Sequence, residues 1–312
     1  MATSSIPSAE EVIGYMDSLS NWGRWGPDDE LGTLNYITPE KRVEAARLVQ
    51  KGLTVTCSRM IIPENASDNN MTPLHFMTGT GEGAPAQGRG GSGDFIGVGI
   101  HGFNLTHIDA LCHIFWNAKS YNGLDAKSVT NREKATKGGI QILENGVVTR
   151  GVLLDIAKVR GVDWMGPGDG ITPEDLEAAE KAQGVEVRPG DALLYRTGWP
   201  KAREIEGPPT PPSRPGMHAA SMPWLHERQV ALIAADAATD VDPTGYGDKV
   251  PFGLPVHAIG ICAMGLWILD GSNFEELAKE CEKQNRWEFQ WIMAPLRWRN
   301  ATGSPVNPIA VF

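Results

Sequence analysis

Short apolar segments alternate with capped helices through the second half of the chain, and this alternation constrains the fold most. Thr172 to Asp175, reading TPED, predicts the start of a helix that ends near Gly184. A Pro-Gly-Asp turn at 189–191 then leads into the apolar strand ALLYRTG. A short helix precedes the buried strand ALIAADA, and another precedes GLWILD. Such helix–strand crossings predict an α/β protein with a mixed central sheet flanked by helices.

The first half of the chain begins with a helix before its first strand. Thr38 followed by Pro39 predicts a helix start, and Gly52 predicts its end. The segment LTVTCSRMI alternates as a strand does. No repeat and no change of composition divides the chain. We therefore expect residues 1–312 to form one domain, with an N-terminal extension of about residues 1–52 packed on it.

Three further segments carry local structural signals. Residues 94–105, DFIGVGIHGFNL, predict a strand, and Asn145-Gly146 predicts the turn of a β-hairpin. Ser272 with Glu275 predicts a second helix capping box. The glycine-rich residues 65–93 lack the strand, spacing and helix of a phosphate-binding loop, so we expect a mobile surface loop or lid.

Charge and cysteine content limit the classes of partner. The net charge is −10, whereas nucleic acids and anionic membranes attract clustered Lys and Arg, so we expect a small-molecule partner instead. The first residues lack the pattern of a secretory signal, and no apolar run approaches the roughly 18 residues of a membrane span. The four scattered cysteines fit reduced thiols, and we expect a cytoplasmic protein.

The tryptophan-rich segment NWGRWGPDDELGTLNYIT, residues 21–38, has no helical or strand periodicity and predicts an ordered loop. Trp22 and Trp25 either cover the edge of the core or form the wall of a pocket for an aromatic or cyclic substrate. Together with Phe103, they are the predicted substrate-binding residues.

The chemical centre of the sequence is HGFNLTHIDALCH, residues 101–113, which holds three of the seven histidines. On an extended segment His107 and Asp109 share a face, since side chains two apart point the same way. A helix starting near Asp109 would return His113 to that side. Imidazole and carboxylate ligands suit Zn²⁺ or Mn²⁺. The stretch therefore predicts a metal site.

Other interpretations of these residues remain open. The same side chains would also form a hydrogen-bonded histidine network in a polar core. Cys112 beside His113 would be the nucleophile of a Cys-His hydrolase, although adjacent side chains point apart on a strand or a helix. His75, His218 and His226 have no chemical partner nearby in the sequence, and we expect surface or core positions for them.

The segment THIDALCH, followed by YNG, resembles the signature of the cyclase-like metal-dependent hydrolases, the family of bacterial kynurenine formamidase and isatin hydrolase. WGPDDELGTLN, RPGDALLYRTGW and LPVHAIGICAMGLWILD resemble the longer members, so that the resemblance extends along most of the chain. It implies the swivelling β/β/α fold, assembly into a homodimer or homotetramer, and hydrolysis of an amide, cyclic imide or lactone bond.

The resemblance also implies roles for single residues. In the family pattern H-x3-H-x-D-x3-H, the second histidine matches His107, the aspartate matches Asp109 and the acid/base histidine matches His113. A later metal-binding histidine matches His257, and a metal-binding glutamate matches Asp270. The implied chemistry is attack by a metal-activated water, with His113 exchanging the proton.

Two positions depart from the family pattern. Its first histidine falls on Phe103, which cannot bind a metal, so His101 is a further ligand candidate. Asp270 is one methylene shorter than glutamate, and it could instead cap the next helix, as His257 could cap a helix after Pro255. We therefore expect one divalent ion, zinc or manganese. The alternatives are a metal-dependent lyase, dehydratase or isomerase acting on a carbonyl compound, or a non-catalytic binding protein of the same fold.

Overall fold

The computed structural model describes residues 6–69, 71–102 and 105–312. In that part of the chain, nine strands form one mixed sheet and three strand pairs lie outside it. The strands are β1 (Thr54–Thr56), β2 (Leu74–Gly79), β3 (Gly93–Gly97), β4 (His107–Asp109), β5 (Val129–Thr130), β6 (Lys134–Ala135), β7 (Val147–Asp155), β8 (Gly170–Ile171), β9 (Ala192–Arg196), β10 (Gly216–Met217), β11 (Leu232–Ala235), β12 (Trp267–Asp270), β13 (Glu288–Met293), β14 (Gly303–Pro305) and β15 (Ile309–Val311).

Helices flank this sheet, which confirms the predicted α/β class and the swivelling β/β/α fold. The α-helices are α1 (Ala9–Ser18), α2 (Pro39–Ala46), α3 (Ile156–Val159), α4 (Pro173–Gln183), α5 (Trp199–Glu206), α6 (Met222–Glu227), α7 (Pro255–His257) and α8 (Glu275–Gln284). A π-helix, Ala258–Met264, continues α7. Short 3₁₀ helices are Gly32–Tyr36, Tyr121–Gly123, Ala126–Ser128, Ile140–Leu143, Ala219–Ser221 and Gly247–Lys249.

The main sheet has a parallel centre and antiparallel flanks. Its order is β1-β15-β13-β7-β9-β11-β12-β4-β14, and β7, β9, β11 and β12 are mutually parallel. These four strands are buried on both faces, as expected for apolar segments such as LIAA and WILD. Their carboxyl ends share one edge of the sheet, where α/β proteins commonly bind ligands. Asp236 follows β11 at this edge, and Asp270 ends β12.

Helices and strands that carry strong local signals form where the sequence predicts them. Helix α4 begins at Pro173, and the Asp175 carboxylate accepts a hydrogen bond from the Thr172 backbone N–H at 2.8 Å. Gly184 ends the helix with a φ of 64°. Helix α2 also begins as predicted, behind Thr38, but it ends at Ala46 rather than at Gly52.

The hairpin predicted at Asn145-Gly146 is wrong. A 3₁₀ helix, Ile140–Leu143, precedes the turn, and a strand, β7, follows it. Gly146 does turn the chain, with a φ of 71° and a hydrogen bond from its N–H to the Leu143 carbonyl. The predicted turn is therefore present, but β7 pairs with the distant strands β9 and β13 instead of with the preceding residues.

The strand predicted for residues 94–105 is also wrong as a single element. Its first part, β3, pairs with β2 in a separate two-stranded hairpin. After this hairpin, the chain rejoins the main sheet at β4. The glycine-rich residues 65–93, predicted as a surface loop or lid, thus include strand β2, and their side chains are largely exposed.

The predicted capping box of Ser272 and Glu275 is wrong. The N–H of Glu275 donates to Oδ1 of Asn273, and the N-cap position of α8 belongs to Phe274. The Ser272 backbone instead bridges to Ser58 near β1, and its N–H donates to the Ala235 carbonyl. Contacts with Ala235 and Ser58 therefore hold Ser272 away from the cap position that the local pattern predicts.

The N-terminal residues contain a helix that the sequence analysis did not predict. Ser8 and Glu11 form a capping box at the start of α1. Further on, a Cβ atom at Gly32 would lie 2.1 Å from the Gly265 carbonyl oxygen, so only glycine allows this close approach. Among the helices described above, none combines the length and apolar character that a bilayer-spanning helix requires.

Candidate metal and acid–base site

Two neighbouring strands bring three buried polar side chains together. His107 and Asp109 lie two residues apart on β4 and therefore share a face. Strand β12 runs antiparallel beside β4 and places Asp270 directly opposite His107. All three residues are buried. The pairing of β4 with β12 thus builds one side of the site.

Two histidines of the site are held by their Nδ1 atoms. The Nδ1 atom of His107 lies 2.8 Å from the Leu105 carbonyl oxygen, and a carbonyl can only accept, so Nδ1 donates. In His257, at the end of α7, Nδ1 lies 2.6 Å from the Asp240 carboxylate. This carboxylate also accepts the backbone N–H groups of Val256 and His257. The Nε2 atoms are consequently left to face the site.

Asp109 lies at the centre of these groups. The Nε2 atom of His107 is 3.5 Å from its Oδ1, and that of His257 is 3.4 Å from its Oδ2. Oδ2 is buried and has no hydrogen-bond partner among the described residues. A buried carboxylate oxygen without a donor is energetically costly, so this atom indicates a missing cation or donor.

Asp270 holds a loop with one oxygen and faces the site with the other. Its Oδ1 accepts hydrogen bonds from the Thr239 backbone N–H at 2.8 Å and hydroxyl at 2.5 Å. Its Oδ2 lies 3.3 Å from Nε2 of His257. The carboxylate therefore does not cap α8, the alternative role that the sequence allows.

His101 and His113 form a stacked pair beside Asp109. Their rings are 3.5 Å apart and within 6° of parallel. His101 bonds through Nδ1 to Oδ1 of Asp109 at 2.8 Å and through Nε2 to the Thr302 hydroxyl at 2.9 Å. A Cβ at Gly303 would approach the His101 ring to 3.0 Å, so the glycine leaves room for it. His101, Asp109 and His113 offer ligand atoms within 4.8 Å of one another.

The surroundings of the site lower the pKa values of His113 and Asp109 and raise that of His257. Burial lowers the pKa of His113 to about 4, so its imidazole is neutral at pH 7. Burial opposes ionisation of Asp109, but the histidines around it hold its pKa well below the ordinary range. Burial also opposes protonation of His257, but Asp270, Asp109 and Asp240 raise its pKa well above the usual value. The site therefore attracts positive charge.

These groups provide the elements of metal-assisted proton transfer. The Nε2 atoms of His107 and His257 each lie near one oxygen of the buried Asp109 carboxylate, and His113 supplies a neutral imidazole beside it. The same geometry also fits a hydrogen-bonded network of charged histidine and aspartate, which the sequence left open. The unpaired Oδ2 of Asp109 favours the metal site.

Comparison with known proteins decides the family. The sequence model described as putative cyclase matches residues 53–243, which is more than half of the chain. The chain belongs to the putative cyclase family. A crystal structure described as that of a novel cyclase shares 34% sequence identity with it. The alignment covers 95% of this chain and 99% of that one, with a TM-score of 0.82.

More distant structures share the fold of this chain. Isatin hydrolase A from Labrenzia aggregata, bound to benzyl benzoate, is 21% identical, with a TM-score of 0.58 over 85% of this chain and 94% of that chain. An isatin hydrolase bound to the product analogue thioisatinate is 18% identical, with a TM-score of 0.59 over 88% and 98%. Among curated proteins, none matches the chain at a significant level.

The predicted substrate-binding residues lie in different surroundings. The Trp22 indole N–H donates to the Cys262 carbonyl at 2.6 Å, and the Trp22 side chain is 44% exposed. Trp25 packs edge-on against Tyr36, with the Arg24 guanidinium over its ring. Phe103 lies outside the described residues. The role of all three as a substrate wall stays a prediction.

Sequence reasoning missed Asp240, Thr239 and Thr302. Asp240 and Thr239 belong to the segment AADAATDVD, which follows the buried strand β11. Polar residues after a parallel strand lie at the edge where sites form, so this signal was present in the sequence. Thr302 approaches His101 from near the C-terminus, and no local pattern marks it.

The three histidines that were expected to lie away from the site each have a local contact. His75 bonds to Asp94 within the β2–β3 hairpin. His218 accepts the Ala220 backbone N–H, and His226 lies 3.2 Å from Oδ1 of Asn21. These contacts agree with the surface or core positions expected for them.

Proposed function

We propose that this protein is a metal-dependent hydrolase that opens an amide, cyclic imide or lactone bond. The observation that carries the proposal is the buried, unpaired Oδ2 of Asp109, which lies 3.4 Å from the Nε2 atom of His257. His107 presents its Nε2 atom to the other carboxylate oxygen. A buried carboxylate oxygen without a hydrogen-bond partner, with an imidazole nitrogen nearby, fits a divalent cation.

His107, Asp109 and His257 would hold the ion, with Asp270 as the fourth ligand. The Nε2 atom of His257 lies 3.3 Å from Oδ2 of Asp270 and 3.4 Å from Oδ2 of Asp109, and the Nε2 atom of His107 lies 3.5 Å from Oδ1 of Asp109. Two imidazoles with two carboxylates suit zinc or manganese. We propose a single ion, because the first histidine of the family pattern is replaced by Phe103.

His113 would act as the acid/base. A bound divalent ion lowers the pKa of a coordinated water and polarises a carbonyl oxygen. His113 is neutral at pH 7, and its ring lies beside Asp109, stacked on His101. It can therefore accept the proton of the attacking water and return it to the leaving nitrogen or oxygen. The His101 ring stacked against it limits the tilt of the His113 ring.

The fold relatives and the chemistry of the site support the proposed substrate class. The structural neighbours are named for isatin, which contains a cyclic amide, and we extend this class of bond to the present chain. Trp22, Trp25 and Phe103 are the proposed apolar wall for an aromatic or cyclic compound. The single acid/base histidine suits hydrolysis, and also suits a lyase, dehydratase or isomerase that moves a proton beside a carbonyl.

A substrate screen with product masses tests the proposal. The protein is loaded with Zn²⁺ or Mn²⁺ and incubated with N-formyl arylamines, cyclic imides and lactones. After hydrolysis, the products together weigh one water more than the substrate. Isomerisation leaves the mass of the substrate unchanged, and dehydration lowers it by one water. Turnover that survives complete chelation would contradict the metal-dependent mechanism, and absence of bound metal would favour a non-catalytic binding protein.

We also propose that the enzyme works in the cytoplasm as a homo-oligomer, a homodimer or a homotetramer. Four free, buried cysteines, at positions 57, 112, 262 and 281, support a reducing compartment. The sequence carries a net charge of −10, so neither nucleic acid nor an anionic membrane is proposed as a partner. Localisation of a tagged chain by cell fractionation tests the compartment.

A further inference from the structure

The motifs WGPDDELGTLN, residues 25–35, and YNG, residues 121–123, bind each other in the structure. The side-chain amide of Asn122 is the main link between them. Its Nδ2 atom shares two N–H groups among three carbonyl oxygens, at 3.0, 3.2 and 3.0 Å, which belong to Gly26, Pro27 and Asp29. Its Oδ1 atom accepts the Gly23 N–H at 2.8 Å. One amide therefore holds four backbone groups within residues 23–29.

Residues 21–35 form an N-terminal clasp, which also binds the π-helix that continues from His257. The last carbonyl groups of a helix have no partner within the helix. The clasp donates hydrogen bonds to four carbonyls in succession, those of Cys262, Ala263, Met264 and Gly265. The donors are the Trp22 indole, the backbone and side-chain amides of Asn21, and the Thr33 N–H, at 2.6, 2.9, 2.9 and 2.9 Å. The clasp thus fixes the end of the helical segment on which His257 lies.

The clasp also holds the chain on both sides of His113. A carboxylate oxygen of Glu30 accepts the Gly138 N–H at 2.6 Å, and the Gly138 carbonyl accepts the N–H of the residue before His113 at 3.2 Å. Beyond His113, the hydroxyl of the buried Tyr121 donates to Oδ2 of Asp29 at 2.9 Å. The segment that carries His113 is therefore fastened to the clasp at two points.

We propose that Asn122 is a positioning residue, which through the clasp fixes the distance between the acid/base His113 and the metal ligand His257. The inference rests on the proposed function, which gives the two histidines these roles. Neither histidine lies on a strand of the sheet, since His113 follows β4 and His257 ends α7. Their relative position therefore depends on contacts between the segments that follow them, and the clasp binds both of these segments.

Opening of the clasp should affect proton transfer more than metal binding. His257 would keep its hydrogen bond to Asp240, and His107 would keep its hydrogen bond to the Leu105 carbonyl. The segment of His113 would instead lose both of its attachments to the clasp. A displacement of about 1 Å at the reacting groups costs on the order of 10²-fold in rate. Loss of the clasp should therefore lower kcat at unchanged metal occupancy.

Asn122→Gly tests the proposal, because glycine adopts the left-handed φ of 57° at this position without strain and only the amide is lost. We expect kcat per bound Zn²⁺ ion to fall roughly tenfold or more, and metal affinity to stay within about twofold of the wild-type value. Turnover is measured with the N-formyl arylamine, cyclic imide or lactone that the wild type hydrolyses fastest. Asn285→Gly, at a left-handed φ of 48° at the end of α8, is the matched control and should leave kcat unchanged.

Tyr121→Phe is a milder second variant, which removes the hydrogen bond to Asp29 and keeps the ring. We expect it to lower kcat by a smaller factor than Asn122→Gly does. Nuclear magnetic resonance of protein labelled with ¹³C-histidine follows the His113 ring without any substrate, and His113→Ala assigns its signals. These signals should shift in Asn122→Gly and in Tyr121→Phe, and they should keep their wild-type positions in Asn285→Gly.

A loss of folded, metal-loaded protein with unchanged kcat per bound ion would mean that Asn122 only stabilises the fold, and it would overturn the proposal. If the wild type hydrolyses no compound of the screen, the proposed hydrolase function fails, and the His113 signals alone decide the positioning role. Shifted signals in Asn122→Gly and Tyr121→Phe would support that role, and unchanged signals in both variants would refute it.

Discussion

Asp240 and the Leu105 carbonyl perform the same task for two different imidazoles. Each accepts a hydrogen bond from Nδ1 and leaves Nε2 facing Asp109. The charge of Asp240 also makes the His257 ring a stronger ligand. Asn keeps one oxygen for Nδ1 of His257 but loses the charge and the second acceptor, which takes the Val256 N–H. We therefore expect Asp240→Asn to weaken metal binding roughly tenfold. Competition with a chromophoric chelator measures this affinity.

Asp242→Asn is the matched control for that experiment. Asp242 lies two residues from Asp240, is 42% exposed and pairs with Arg214 at 3.5 Å. The same change of charge at this position should leave metal affinity unchanged. Equal affinity in wild type and Asp240→Asn would show that the hydrogen bond only orders the loop.

His113 is predicted to move protons without holding the metal. We expect His113→Ala to lower turnover by about 10²- to 10⁴-fold, the usual contribution of a general acid/base, while bound metal stays near one ion per chain. Steady-state kinetics and elemental analysis of the same sample measure the two quantities. His226→Ala, which removes a half-buried imidazole bonded to Asn21, should preserve both.

Loss of metal from His113→Ala would contradict this assignment. It would instead place His113 among the ligands with His101 and Asp109, whose donor atoms lie within 4.8 Å. The two ligand sets share Asp109, so only their histidine variants distinguish them.

The residues of the site differ in how far the sequence could predict them. The two-residue period of a strand correctly placed His107 and Asp109 on one face, because that relation is local. Asp240 and Thr302 reach the site by tertiary contact, and Thr302 lies 201 residues from His101 in the sequence. Local periodicity contains no information about such contacts.

The start of helix α4 is stabilised by the ionised carboxylate of Asp175. Burial raises the pKa of Asp175, but hydrogen bonds from Arg160 and Thr172 outweigh this effect and hold the pKa below its ordinary value. The ionised carboxylate therefore stabilises the folded state above the unfolded pKa of about 3.9, and this stabilisation is lost as the pH falls through the folded pKa. We expect Asp175→Asn to cost about 1 kcal/mol at pH 7.

Urea unfolding at pH 7 and at pH 3 measures this difference. The difference in free energy of unfolding between wild type and Asp175→Asn should shrink at pH 3, because this pH lies below the unfolded pKa and protonation of the unfolded carboxyl favours unfolding. Glu177→Gln removes a charge from an exposed position on the same helix and should have little effect at either pH. If this difference in free energy of unfolding is equal at both pH values, the ionised carboxylate does not stabilise the start of the helix.

Elements were predictable where their signal is local. The Thr-Pro starts of α2 and α4 were correct because a cap involves residues within one turn. The Asn145-Gly146 hairpin failed because β7 takes its partners from strands far along the chain. The β2–β3 hairpin was missed because its strands lie among glycines and pack on little else.

At the scale of the whole molecule, the proposed ion joins parts that are distant in sequence. Asp109 lies on β4, Asp270 ends β12 and His257 ends α7, and Asp240 anchors the last of these. Several carboxylates thus lie buried close together, an arrangement that is costly unless cations compensate the charge. A bound divalent ion should therefore stabilise the entire fold.

Metal removal should consequently lower the thermal stability. A ligand at 100 times its dissociation constant contributes about 2.7 kcal/mol to the free energy of unfolding. For a chain of this length, this corresponds to a fall in Tm on the order of 5 °C on chelation, measured by differential scanning calorimetry. Zn²⁺ or Mn²⁺ should restore the Tm, whereas Mg²⁺, which prefers oxygen ligands and keeps its waters, should not. His113→Ala should show the full metal-dependent shift and Asp240→Asn a smaller one at equal metal concentration. Identical Tm values with chelator and with saturating Zn²⁺ or Mn²⁺ would refute a metal bound by these buried residues.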